Sequence, residues 1–270
     1  KNVSLQISRG EAVGLVGHRV VANVYPRRLA DTCSTHGKPA GALDGQAHTI
    51  TSRRGGVILA LDVRGLTALA ERFDCVIEMI PLVGDFVAAG DPLFRVFHGG
   101  ADLPANDLRH SVAVGQERTM EQDPTFAFRI MVDIASKGLS PAINDPTTAV
   151  LAIDQIHHLL RDVGNRHLDE GQVRDAAGRL RLVYRTPDWE DFVQLAVTEI
   201  RHFGGTSIQI AKRLRAMLDN LIATLPEGRS APLLQELKLL NRSTERFFPE
   251  PEDKALANIS DPQGVGGKRG

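Results

Sequence analysis

EQDPTFAFRIMVDIASKGLSPAINDPTTAVLAIDQIHHLL, Glu121 to Leu160, decides how the rest of the chain is read. Asp123 and Asp145 are each followed by Pro and then Thr. An Asp caps a helix start by accepting an orphan backbone N–H, and Pro is tolerated at the first helical position, where no donor is needed. The first helix is therefore expected from Pro124 to Leu139, stopped by Pro141, and the second from Pro146 to Val163. So short a connection makes a helical hairpin.

On a helical wheel of roughly 100° per residue, Ala127, Phe128, Ile130, Met131, Val132, Ile134, Ala135 and Leu139 cover an apolar arc of roughly 200°. The remaining stripe carries Gln122, Arg129, Asp133, Ser136, Lys137 and Ser140, with Phe126 intruding. Arg129, Asp133 and Lys137 recur every fourth residue, so Asp133 can pair with a cation on either side. A helix this apolar is expected to be enclosed, with its charges in a seam where each needs a partner. A structural ion-pair ladder and a functional polar groove are the two readings of that stripe.

The chain has 270 residues, 42% hydrophobic and 24% charged, as in a globular protein of one or two domains. A net charge of -1 and 5% aromatics give no case for nucleic acid, which needs a basic surface and stacking platforms. Cys33 and Cys75 stand far apart and outside any CxxC, so neither a disulfide scaffold nor a zinc site is expected. No run approaches the roughly 18 apolar residues that span a bilayer, and no signal peptide opens the chain. Opening on Lys1, without Met, it is expected to be a piece of a longer protein.

Residues 1–48 read as an amphipathic helix ending near Pro26, then a loop over Asp31–Gln46; Gly10, Gly14 and Gly17 make that helix dependent on a neighbour. Residues 49–98 turn β-rich: TITSRRGGVILALDV is a strand candidate bent at Gly55-Gly56, RGLTALAERF a short helix, and Cys75 to Phe97 strands punctuated by Gly84-Asp85 and Gly90-Asp91 turns. That cadence resembles the barrel-sandwich hybrid of biotinyl and lipoyl carriers, but Cys75–Phe97 contains no Lys to modify. Residues 106–248 read as mainly helical with one β-hairpin around Asp175–Gly178. Thr186 caps the helix that runs to about His202, and further helices span about Ser207–Leu225 and Pro232–Phe248. Residues 249–270, rich in Pro, Asp and Gly, read as a flexible tail. The fold class expected is α+β: a small barrel-sandwich-like β module, then a mainly helical domain.

GQERTMEQDPTFAFRIMVDIASKGLSPAINDPTTAVLAIDQI is similar throughout to the signature of a bacterial "predicted membrane protein" family catalogued as domain of unknown function 2254. SRRGGVILALDV, GDFVAAGDPL and LRLVYRTPDWEDFVQLAVTEI resemble its other shared segments, in the same order. The resemblance implies a soluble region following transmembrane helices, hence anchorage in the bacterial inner membrane. It implies no reaction, substrate or catalytic residue.

Candidate chemistry is sparse. His157 and His158 point about 100° apart on one helix, and His167 completes no ligand spacing, so no metal is expected. Lys137 and Ser140, three apart, could approach with Asp133 as a hydrolytic trio, but no GxSxG accompanies them. Asn144 and Asp145 most simply form a capped turn, and the acidic caps Asp123 and Asp145 disfavour a phosphate at those helix starts. The binding or interface candidates are thus Arg129, Asp133, Lys137, Ser140, Asn144 and Asp145. The expectation is a non-catalytic assembly, ligand-sensing or regulatory region, self-associating, without cofactor, on the cytoplasmic side. A Ser/Lys/Asp hydrolase is the alternative.

Overall fold

The computed structural model describes residues 2–29, 43, 45–100 and 102–266. In chain order come α1 (Asn2–Val24), β1 (His48–Thr51), β2 (Gly56–Leu61), α2 (Val63–Arg72), β3 (Val76–Met79), β4 (Phe86–Val87), β5 (Pro92–Phe97), α3 (Ala105–His110) and β6 (Val112–Gly115). Then follow α4 (Pro124–Gly138), α5 (Pro146–Gly164), β7 (Gln172–Arg174), β8 (Leu180–Tyr184), α6 (Trp189–Phe203), α7 (Ile208–Thr224), α8 (Ser230–Phe247) and α9 (Pro251–Ala257). The fold is α+β. Cys33 and most of the loop expected over Asp31–Gln46 lie outside the described residues.

Two compact units emerge, each assembled from separated stretches of chain. One comprises Lys1–Asp31, Pro124–Leu168 and Pro187–Gly270; the other comprises Thr32–Asp123 and Asp169–Thr186. These units cut across the expected segments 1–48, 49–98, 106–248 and 249–270. The N-terminal helix joins the helical unit, and the β7–β8 hairpin, expected among the helices, joins the β-rich one.

In the helical unit α4 is packed by α1, α5 and α6. Ala127, Phe128, Met131, Val132 and Ala135 are buried, and the Phe128 ring lies 5.3 Å from that of Phe192 on α6. Most of the apolar arc read from the sequence is therefore covered within the chain, while Ile130, Ile134 and Leu139 are half-buried. Gly17 explains how α1 comes so near: a Cβ there would sit 3.0 Å from Leu159 Cδ2 and 3.1 Å from Ala127 Cβ. His18 Nδ1 meets Asp162 Oδ2 at 3.0 Å, and Arg166, paired with Asp162, donates to the Tyr25 carbonyl at 2.8 Å.

Composition suggested a flexible tail from residue 249, but α9 occupies its first part and Ala257 is fully buried. The Pro, Asp and Gly residues there act as punctuation. Pro251 opens α9, and the buried Asp261 carboxylate accepts the amides of Gln263 (3.1 Å), Gly264 (3.2 Å) and Gly266 (2.8 Å). The cap of α6 also differs from expectation. Asp188, not Thr186, accepts the Asp191 amide at 2.9 Å, while the Asp191 carboxylate accepts the Asp188 amide. Both oxygens of that reciprocal box come from Asp, which outcompetes a Thr two residues upstream.

The β-rich unit holds a five-stranded sheet, ordered β1-β5-β3-β8-β7, and a three-stranded sheet, ordered β4-β2-β6. No closed barrel is present among the described residues, so the carrier-like cadence reflects only tight turns between short strands. All pairings are antiparallel except β3 with β8, where Ile77 faces Leu182. Ile58, Leu66, Ile77, Phe94 and Leu182 form the centre of its core. Gly56 stands at φ +155, and a Cβ there would lie 2.4 Å from the Gly115 carbonyl oxygen, so only glycine lets β2 start against the end of β6.

Arg181 is buried at 3% exposure. Its guanidinium donates to Asp74 (2.8 Å), Asp175 (2.9 Å) and the Cys75 carbonyl (3.3 Å). Burial pushes the Asp175 carboxyl up, but the Arg179 amide and the Arg181 and Arg179 guanidinia outweigh it, taking the group from 3.8 to about 2.

Two outcomes follow from this packing. Gly17→Ala is expected to be near neutral in urea unfolding, because about 1 kcal/mol of helix propensity offsets the tight contact. Gly17→Leu should cost about 1–3 kcal/mol through overpacking. Since the Asp175 value is depressed on folding, its stabilisation is complete above 3.8 and fades as pH falls towards about 2. The acid limb of a pH–stability curve across that window should be shallower in Asp175→Asn, and an unchanged slope would contradict the assignment.

Candidate functional site

The SPAINDP connection is built by backbone geometry. Asn144 adopts φ +47, a left-handed conformation that Asn tolerates better than most residues, and its amide donates to the Ser140 carbonyl at 2.8 Å. The Asp145 amide then donates to the Gly138 carbonyl at 2.7 Å, closing the turn. Asp145 caps α5: Oδ1 accepts the Thr148 amide (3.1 Å) and Oδ2 the Thr148 hydroxyl (2.6 Å). Those bonds hold its carboxyl below the usual carboxylate range. Asp123, buried ahead of α4, accepts from Arg118 Nε at 2.5 Å.

The stripe on α4 is only partly a seam. Arg129 is a quarter exposed and clamps Glu199 on α6 with both Nη atoms, at 2.5 and 2.9 Å. Its Nε also donates to Asp133 Oδ1 at 2.8 Å. The Arg129 hydrogen bonds pull the Glu199 carboxyl down against the effect of burial, and the arginine is held more firmly charged in return. Asp133, at 62% exposure, and Lys137 face solvent in the chain. The enclosed ladder thus stops after its first rung, because the covering helices lie against the apolar arc and leave this edge open. Ser140 Oγ donates to the Lys137 carbonyl at 2.8 Å. With Asp133 on Arg129 and the Ser140 hydroxyl on a backbone oxygen, the three do not assemble as a nucleophile and base.

The histidines are engaged separately. His157 Nε2 meets Asn220 Oδ1 at 2.9 Å, and burial lowers its affinity for a proton; His167 Nδ1 meets the Leu168 carbonyl at 3.0 Å. Among the described residues no three His, Cys, Asp or Glu side chains gather as a metal site. Burial pushes the Cys75 thiol up, away from the reactive thiolate.

A site that sequence reasoning did not single out lies in the β-rich unit. A cleft of about 270 Å³ is lined by Ser52, Arg53, Arg54, Leu93, Asn106, Arg109, His110, Val112 and Val114. Its floor is apolar, with Leu93 and Val112 buried, and its rim carries three arginines and a histidine but no carboxylate. Ser52 fixes the Arg53-Arg54 backbone: its amide donates to the Asp91 carbonyl (2.9 Å), its carbonyl accepts from Gly90 (2.8 Å), and its hydroxyl donates to the Arg54 carbonyl (2.7 Å). Arg109 is steered by Nε on the Thr51 carbonyl (2.9 Å) and Nη1 on Asn106 Oδ1 (3.2 Å). The adjacent pair in SRRGG was the available signal. Its mates on α3 could not be assigned to it without the fold.

The family model described as "Predicted membrane protein (DUF2254)" matches residues 1–220. Uncharacterized proteins of Mycobacterium bovis and of two Mycobacterium tuberculosis strains are each 27% identical over 245 residues, covering 88% of this chain and 46% of the relative. The chain therefore spans about half the length of the curated relatives it matches. No solved structure matches it. Among the described residues no helix is long and apolar enough to cross a membrane.

The Arg129–Glu199 pair is half open to water, so its worth is small. A double-mutant cycle of Arg129→Gln and Glu199→Gln is expected to give a coupling of about 0.5–1 kcal/mol in urea unfolding. Coupling should shrink in 1 M salt, about the concentration at which screening reaches 3 Å.

Proposed function

The chain belongs to the DUF2254 family of predicted membrane proteins, and from that premise we propose that it is the extramembrane, ligand-sensing region of a longer membrane protein. Its role is regulatory, and the ligand is an anion held in the cleft of Arg53, Arg54, Arg109 and His110. One observation carries this reading: a preformed recess with several cations and an apolar floor, and no carboxylate to neutralise them. Such a lining can hold and orient an anion. Its one hydroxyl, on Ser52, donates to the Arg54 carbonyl and is not paired with His110 as a nucleophile with its base would be. The α4 stripe supports the non-catalytic reading as well, since Asp133 is bonded to Arg129 and the Ser140 hydroxyl to a carbonyl. Self-association draws little support from α4, most of whose apolar arc is covered within the chain. A buried, free Cys75 suits a cytoplasmic placement.

Thermal unfolding in a panel of small anions tests the proposal. An anion present at about 100 times its Kd should stabilise the chain by about 2.7 kcal/mol. The gain should vanish in Arg53→Gln/Arg54→Gln/Arg109→Gln and persist in Lys137→Ala. Ester hydrolysis that survives purification and disappears in Ser140→Ala would overturn the reading in favour of the hydrolase.

A further inference from the structure

We infer that the cleft recognises a phosphate group carried on a small aliphatic alcohol, a ligand class that rests on the anion-sensing reading above and sharpens it. The cations of the rim have no partners of opposite charge among the described residues. Carboxylates close by in the chain point elsewhere: Asp62 Oδ1 accepts the Gly65 amide (2.9 Å), Asp85 Oδ2 the Leu82 amide (2.8 Å) and Asp91 Oδ2 the Ala88 amide (2.7 Å). Asp62, Asp85 and Asp91 are thus oriented by turn amides, Asp107 on α3 is exposed and outside the lining, and Arg53, Arg54 and Arg109 stay available to an external anion.

The geometry of Arg109 narrows the choice. With Nε on the Thr51 carbonyl and one Nη1 hydrogen on Asn106, both Nη2 hydrogens and the other Nη1 hydrogen are left for a ligand. Those guanidinium donors suit the oxygens of a carboxylate or of a phosphate equally well. A carboxylate brings one charge and two oxygens to a recess that Arg53, Arg54 and His110 also line. A phosphate ester has further unesterified oxygens and up to nearly two charges to offer them.

Size and lining limit what the phosphate can carry. The volume of about 270 Å³ lies just below the range usual for drug-sized ligands, and no Phe, Tyr or Trp lines it. A nucleobase would find no stacking partner. Leu93, Val112 and Val114 instead offer a short aliphatic surface, and their low dielectric strengthens the charge interactions above them. Glycerol phosphate has these dimensions, either free or as the headgroup portion of an anionic phospholipid. Both sources share the same chemistry.

Calorimetric titration of the 270-residue chain with sn-glycerol 3-phosphate, inorganic phosphate, acetate and succinate tests the class, beside flotation with phosphatidylglycerol and phosphatidylcholine vesicles. Glycerol 3-phosphate is expected to bind at least about tenfold more tightly than acetate, a difference of about 1.4 kcal/mol. Arg53→Gln/Arg54→Gln should weaken it by about tenfold or more; neither side chain makes a structural hydrogen bond among the described residues, so the fold is retained. Arg109→Lys should also weaken binding, since it keeps the charge and loses the guanidinium donors. Binding of soluble phosphate esters assigns the free ligand. Binding only to phosphatidylglycerol vesicles, lost in the arginine variants, assigns the lipid. Preference for succinate over every phosphate source overturns the inference and leaves anion sensing intact. If no anion or vesicle binds, both fall.

Discussion

A strand that must find its neighbour a hundred residues away governs this architecture. β3 has β5 on one side and needs β8 on the other, and that β3–β8 pairing, from Ile77 with Leu182 to Met79 with Tyr184, is the single parallel one among the described residues. Parallel strands cannot be joined by a tight turn and require a long crossover. Here α4 and α5 lie between them in the sequence, yet belong to the other unit. The buried Arg181 secures the join, because its guanidinium is satisfied only when the turn after β7 and the start of β3 both supply oxygens. Removing one partner from so buried a charge is far more costly than losing an exposed ion pair. The discontinuity of the β-rich unit, and the break between Leu168 and Pro187 in the helical one, follow from this one adjacency.

What the sequence revealed was local. The ends of α4 and α5 were readable because Asp-Pro starts and the Pro141 stop act within a few residues, and Asn144 and Asp145 proved to be turn and cap. Strand candidates and the Asp175–Gly178 turn were readable for the same reason. The partner of β8 was not, since alternation in LRLVY says which side chains share a face and nothing about which strand lies alongside. Nor was the burial of Arg181 readable, since the acids that allow it come from the β7–β8 turn and from Asp74.

The candidate site shows the same limit. Spacing placed Arg129, Asp133 and Lys137 correctly on one face of α4, but the covering helices decide what becomes of that face. Arg129 reaches α6 and finds Glu199, while Asp133 and Lys137 remain open to water. Conversely, the cleft draws Arg53 and Arg54 from the link between β1 and β2, and Arg109 and His110 from α3. No periodicity relates those positions. Only the antiparallel path of β1, β5, β2 and β6 brings them to one recess.

The discontinuity of the β-rich unit also shapes how the chain emerges from a ribosome. The segment Thr32–Asp123 is complete long before Asp169–Thr186 is translated. Throughout that interval β3 presents a bare hydrogen-bonding edge next to apolar Val76, Ile77 and Met79. Unpaired edges of this kind recruit foreign strands, and nascent intermediates that expose them are prone to aggregate. A nascent chain with this order of segments depends on speed, or on a chaperone, until its missing strand arrives.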